Sequence, residues 1–80
     1  MSQKLPRVDC QELIRALKQA GFEERRQRGS HLHLYRASGG KRVTVPVHKG
    51  RTVPVGTLRA ILRDADISVD EFRSLLGKDH

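Results

Sequence analysis

The chain has 80 residues but one cysteine, no tryptophan, one tyrosine and two phenylalanines. A lone cysteine, Cys10, excludes an internal disulfide and fits a reducing cytoplasm. So few aromatics argue against the dedicated stacking platform of general single-strand binders. No apolar run approaches the ~20 residues that a membrane span requires. The N-terminus lacks the apolar segment of a signal peptide. No repeats, linkers or low-complexity stretches occur, so residues 1–80 are expected to form one domain. A chain of this size buries only roughly 60–65% of its unfolded surface. A large enclosed substrate cavity is therefore not expected, and any chemistry belongs on a surface or in a shallow cleft.

The most informative absence is that of carboxylates. Between Arg25 and Arg63 stand ten basic residues: Arg25, Arg26, Arg28, Arg36, Lys41, Arg42, Lys49, Arg51, Arg59 and Arg63. That stretch contains no Asp or Glu. Acids return afterwards as Asp64, Asp66, Asp70, Glu71 and Asp79, answered only by Arg73 and Lys78. A solvated face needs charge but not charge of one sign. A surface for phosphates does need one sign, because neutralising several of them releases counterions and drives binding. With a formal net charge of +7, a polyanionic partner, nucleic acid first among them, is expected. The excess of Arg over Lys favours forked phosphate contacts.

Local patterning supplies a frame. Asp9 and Glu12 form a capping box, Leu13, Ile14, Leu17 and Ala20 recur at helical spacing, and Gly21 is a natural stop, so a helix is expected over about residues 10–20. A polar strand follows over about residues 22–28, then a turn at Gly29-Ser30. His31-Leu32-His33-Leu34-Tyr35 alternates strictly, with Leu32 and Leu34 inward and His31, His33 and Tyr35 on the other face. Ala37-Ser38-Gly39-Gly40 closes a hairpin. A third strand from Lys41 to Val47 turns Val43, Val45 and Val47 inward and places Thr44, Pro46 and His48 opposite. Lys49 to Gly56 reads as a loop. Leu58, Ile61, Leu62 and Ala65 mark a second helix. Ser68 and Glu71 read as another capping box before a short last helix containing Phe72, Leu75 and Leu76. The fold class is α+β: a three-stranded antiparallel sheet in the order α-β-β-β-α with an extra C-terminal helix, all helices covering one face.

The parity of these strands sends His31, His33 and His48 to the open face. A neutral imidazole there could act as general base toward a ribose 2′-hydroxyl, whose oxygen would attack the adjacent phosphate. Arg and Lys would stabilise the charge that develops. RNA supplies its own nucleophile in such a reaction. The same histidines could instead be simple phosphate contacts, and the His31-x-His33 pair with His48 could in principle hold zinc. Ser30 has no partners for a catalytic triad. The spacing of Cys10 with Leu13, Ile14 and Leu17 points to the core. Tyr35 could stack on a base or simply pack across strands.

Three segments in order, Gly29-Ser30-His31, Val43-Thr44-Val45-Pro46-Val47-His48 and Gly56-Thr57-Leu58-Arg59-Ala60-Ile61-Leu62, together with the opening Glu12-Leu13-Ile14-Arg15-Ala16-Leu17 and Gly21-Phe22, resemble the HicA (YcfA-like) family of bacterial mRNA interferase toxins. The resemblance runs from about Leu5 to Leu76. It implies a fold like the double-stranded-RNA-binding domain. It implies a metal-independent, cofactor-free endoribonuclease of the bacterial cytoplasm that cleaves mRNA and is neutralised by a HicB-type antitoxin. It makes His31 of Gly-Ser-His the catalytic general base or acid. Arg28, Gly29, Ser30, Lys41, Arg42 and Lys49 are then expected to bind and position RNA, with His33 and His48 as candidates for the second proton transfer. Two departures stand out: Leu32 follows His31 where many members carry a second histidine, and the hairpin tip is Ala37-Ser38-Gly39-Gly40 rather than His-Pro-Asp-Gly. The competing expectations are a non-catalytic RNA-binding module on the same fold and a basic face that docks an acidic protein.

Overall fold

The computed structural model describes residues 5–77; residues 1–4 of the lead-in, and Lys78 and Asp79 of the basic–acidic tally, lie outside the described residues. The expected capping box forms in full. The Glu12 amide donates to Asp9 Oδ1 at 2.8 Å and the Asp9 amide to Glu12 Oε1 at 2.9 Å. Two first-turn donors are thereby satisfied, and helix α1 runs Cys10–Gln19. It ends in a Schellman motif: Gly21 takes φ 101°, and the Phe22 and Gly21 amides donate to Leu17 and Lys18 carbonyls, both at 3.0 Å. The chain then enters strand β1, Glu23–Arg28.

Strands β2, His31–Arg36, and β3, Lys41–Pro46, complete an antiparallel meander in the order β1-β2-β3. The register pairs Leu32 with Val45 and Leu34 with Val43. These four side chains are buried, as alternation requires when one sheet face is covered. β1 is exposed along its whole length because the helical layer does not extend over it.

After β3 the chain crosses residues 47–54. The Val53 amide donates to the Val8 carbonyl at 2.8 Å and Asp9 bridges Thr52, which ties this loop to the start of α1. Helix α2 runs Val55–Ala65, so it begins ahead of Gly56 rather than after it; Gly56 is an ordinary first-turn residue. Asp66 caps it at φ 61°, a left-handed conformation that Asp tolerates better than most residues. Helix α3, Val69–Gly77, starts where Ser68 Oγ accepts from the Glu71 amide at 3.0 Å. The expected reciprocal box is only half formed there. No return bond from the Ser68 amide to the Glu71 carboxylate occurs among the described residues.

The core joins Leu13 and Leu17 of α1, Leu32, Leu34, Val43 and Val45 of the sheet, Leu58, Ile61 and Leu62 of α2, and Phe72 of α3. Cys10 is buried in it as a free thiol. The architecture is the expected α-β-β-β-α-α, an α+β fold of the double-stranded-RNA-binding-domain type. No helix is long and apolar enough to cross a membrane among the described residues.

Candidate nucleic-acid interface

The face of the sheet away from the core is built from three cross-strand rows. Arg28, His31 and Pro46 form the first, and Arg26, His33 and Thr44 the second. Glu23, Tyr35 and Arg42 form the third. Partners in a row share a face, because opposed residues of antiparallel strands project the same way. The first row lies at the hairpin that joins β1 to β2. Arg28 pairs with His31, so only Gly29 and Ser30 make the turn. Gly29 has φ 56° while Ser30 is not in the left-handed region, the pattern of a type II′ turn with glycine first. The Val47 amide donates to the Ser30 carbonyl at 2.6 Å and anchors the turn to the end of β3. His31 is exposed, and its ring makes no hydrogen bond among the described residues. In the second row, His33 Nδ1 lies 3.0 Å from Thr44 Oγ1. The hydroxyl donates or accepts according to the ring tautomer, and either way the imidazole is held in place.

The register of β1 slips between Glu24 and Arg26, leaving Arg25 as the extra residue of a β-bulge. A bulge re-aims side chains. Here the Arg25 guanidinium lies 5.0 Å from the centre of the Tyr35 ring, and that of Arg42 lies 5.8 Å from the same ring. Beside them opens a shallow cleft of about 900 Å³. Its sheet wall includes Arg25, Arg26, His33, Tyr35, Arg42 and Thr44, and α2 supplies Gly56, Thr57, Ala60 and Asp64. Pro54, at the N-cap of α2, makes no side-chain cap bond, so the first-turn amides near Gly56 and Thr57 add partial positive charge to that wall. Asp64 is the one carboxylate among these residues, and Arg63 Nε approaches it at 3.7 Å.

The structure separates residues that the sequence grouped together. Arg28, Gly29, Ser30 and His31 meet at one hairpin. His33 follows roughly 7 Å along β2, and Tyr35 with its partner Arg42 roughly 13 Å along, at about 3.3 Å per residue. Lys41 pairs with Arg36 at the opposite end of the sheet from His31. The positive groups thus form a track rather than a cluster. β3 ends at Pro46, so strand parity no longer fixes a face for His48. That residue opens a turn in the 47–54 loop, where the Arg51 amide donates to its carbonyl at 3.2 Å, and exposed Lys49 follows it. His31, His33 and His48 do not gather as metal ligands, and among the described residues no group of three or more His, Cys, Asp or Glu does.

One of the ten basic residues is not available to a ligand. Arg36 continues the inward parity of Leu32 and Leu34, and its guanidinium lies under the ends of two helices. Nη1 donates to the Ala20 carbonyl at 3.3 Å, Nη2 to the Ala65 carbonyl at 3.4 Å and Nε to the Ser38 carbonyl at 3.0 Å, while the group stacks 4.9 Å from the Phe22 ring. The residues that sequence reasoning did not single out as site residues are Arg25, Arg26 and Thr44. The pairing of Thr44 with His33 follows from alternation, but the bulge that presents Arg25 leaves no signature in the run Glu-Glu-Arg-Arg-Gln-Arg.

Comparison with known proteins adds one match. The family described as HicA toxin of bacterial toxin-antitoxin matches residues 10–67, from the first residue of α1 to just past α2. No match to a curated protein was found.

Proposed function

The chain belongs to the HicA toxin family, and on that premise we propose that it is a metal-independent endoribonuclease that cleaves mRNA at its sheet face and is held in check by a HicB-type antitoxin in the bacterial cytoplasm. The observation that carries this reading is His31: an exposed imidazole without an intramolecular partner among the described residues, next to Arg28, in cross-strand rows whose one carboxylate is Glu23 at the margin.

His31 takes the proton of a ribose 2′-hydroxyl as general base, or protonates the leaving 5′-oxygen as general acid. The 2′-oxygen attacks the adjacent phosphorus and the P–O5′ bond breaks, leaving a 2′,3′-cyclic phosphate on one fragment and a 5′-hydroxyl on the other. Arg28 stabilises charge on the phosphate, and the Gly29-Ser30 turn keeps the approach to His31 narrow and free of bulk. Arg42 holds the strand further along the track and Lys49 contacts it from the 47–54 loop beyond the hairpin end, whereas Lys41, opposite the inward-facing Arg36, is off this face. His33 is the better placed of the two auxiliary histidines for the second proton transfer, since it stands on the same strand face and its ring is oriented by Thr44. The basic face is also the surface that an acidic antitoxin face would cover, which would block substrate and stabilise the complex at once.

The test is expression of the chain in bacteria, with and without His31→Ala. Positioned acid–base groups contribute typically 10²–10⁴-fold in rate, so the variant is expected to permit growth at a protein level at which the native chain arrests it. Arrest by both proteins at equal levels would contradict the assignment. Growth with both would favour the non-catalytic RNA-binding module.

A further inference from the structure

We propose that Arg25, Tyr35 and Arg42 form a clamp for a non-scissile phosphate of the RNA, a second subsite distinct from the hairpin that carries His31. The proposal rests on the ribonuclease reading above and names how that site grips its substrate beyond the bond it breaks.

Three observations carry it. First, both guanidiniums are held by one ring, at 5.0 and 5.8 Å from its centre, and neither makes an ion pair or side-chain hydrogen bond among the described residues. Two like charges are thus gathered at one ring, and Glu23 of the same row makes an ion pair with neither among the described residues; the ring's attraction offsets only part of the excess charge. An anion with several oxygens completes the arrangement, and the fork of each guanidinium suits a phosphate. Second, Arg25 reaches the ring as the extra residue of the β1 bulge, so an irregularity in the strand presents the second cation. Third, the group lies on the wall of the open cleft, roughly 13 Å along β2 from His31 by the rise of a strand. A phosphate held there is not the one being cleaved.

Chain length separates this from a role at the scissile bond. A dinucleoside monophosphate has no phosphate except the one cleaved, whereas a hexanucleotide has several. In the native protein kcat/KM is expected to be at least tenfold higher for a hexanucleotide than for a dinucleoside monophosphate of the same cleavable step. In Arg25→Gln that ratio is expected to collapse toward one, chiefly through KM. Tyr35→Leu, which removes the ring that aligns both cations, is expected to act in the same direction, and Tyr35→Phe to restore the ratio. An unchanged ratio in Arg25→Gln would overturn the clamp.

A parallel measurement keeps the two proposals apart. Binding of the hexanucleotide is followed against salt in the His31→Ala background, with and without Arg25→Gln. Loss of one phosphate contact lowers the slope of log affinity against log salt by about 0.7 on a single strand. A smaller slope supports the clamp even if no cleavage is seen with any protein, an outcome that would sink only the nuclease reading. An unmoved slope and affinity would sink the clamp even if His31 proves catalytic.

Discussion

Arg36 is the residue whose role is least like that of its neighbours in sequence. It stands in the longest carboxylate-free stretch of the chain, yet its charge is spent on the carbonyls of Ala20 and Ala65, where α1 and α2 present the negative ends of their dipoles. It also crowds Gly21, where a Cβ would come within 3.3 Å of Arg36 Cδ. Hydrogen bonds from a charged donor to carbonyls otherwise left unpaired are each worth more than neutral ones. Arg36→Ala is therefore expected to lower unfolding free energy by about 2 kcal/mol, the bonds being long and the side chain only half-buried. Arg36→Lys should recover less than half of that, because one ammonium cannot bridge two helix ends as a fork does. Urea denaturation of the three proteins reads this directly, and a loss under about 0.5 kcal/mol for the alanine variant, the size of an ordinary surface change, would contradict it. The signal was present in the sequence. Alternation from Leu32 and Leu34 puts Arg36 at an inward position, and an inward charge at a strand end needs partners. Its partners were not legible, since they lie 16 and 29 residues away. His31 is the opposite case. Its place on the open face follows from parity and a two-residue turn, both readable.

At the scale of elements, hydrophobic period and capping chemistry set out all three helices and all three strands, with ends shifted by a residue or two. The shifts have local causes: Val47 pairs with the turn at Ser30 and not along β2, and α2 starts directly after Pro54. The β1 bulge was not legible because β1 has no buried residue. With no apolar alternation to break, an inserted residue leaves no trace. Helix α3 raises a separate point. It falls outside the span matched by the family, yet it supplies Phe72, the largest fully buried side chain, against α1. Phe→Ala in a core costs typically 3–5 kcal/mol, a large share of the roughly 5–15 kcal/mol that holds a domain together. Phe72→Ala is expected to lose most of its cooperative thermal transition, and a chain ending at Ile67 to lose all of it. Calorimetry of both proteins checks this. A truncated chain that melts cooperatively near the native temperature would show α3 to be an accessory.

The whole molecule has two sides with different tasks. Apolar side chains from three helices and two strands close over one face of the sheet, and among the described residues no polar or charged side chain is fully buried with them. The other face is left to Arg26, Arg28, His31, His33, Tyr35 and Arg42, with Arg25 added by the bulge. The charge imbalance read from composition has this spatial counterpart: a positive track along the sheet, with acids mostly on the helical side. Composition alone could assign a polyanion but not the direction in which it lies. The register gives the positive track its direction, along β2 from the Gly29-Ser30 hairpin toward Arg42. In the function proposed above, an RNA bond is broken at the hairpin end of this track and His31 moves the proton. The most direct measurement is incubation of the purified protein and its His31→Ala variant with a single-stranded RNA in excess EDTA, with identification of the new termini. Fragments ending in 2′,3′-cyclic phosphate are expected from the native protein, none above background from the variant, and RNA binding by both. Equal cleavage by the two proteins, or cleavage that EDTA abolishes, would contradict that function.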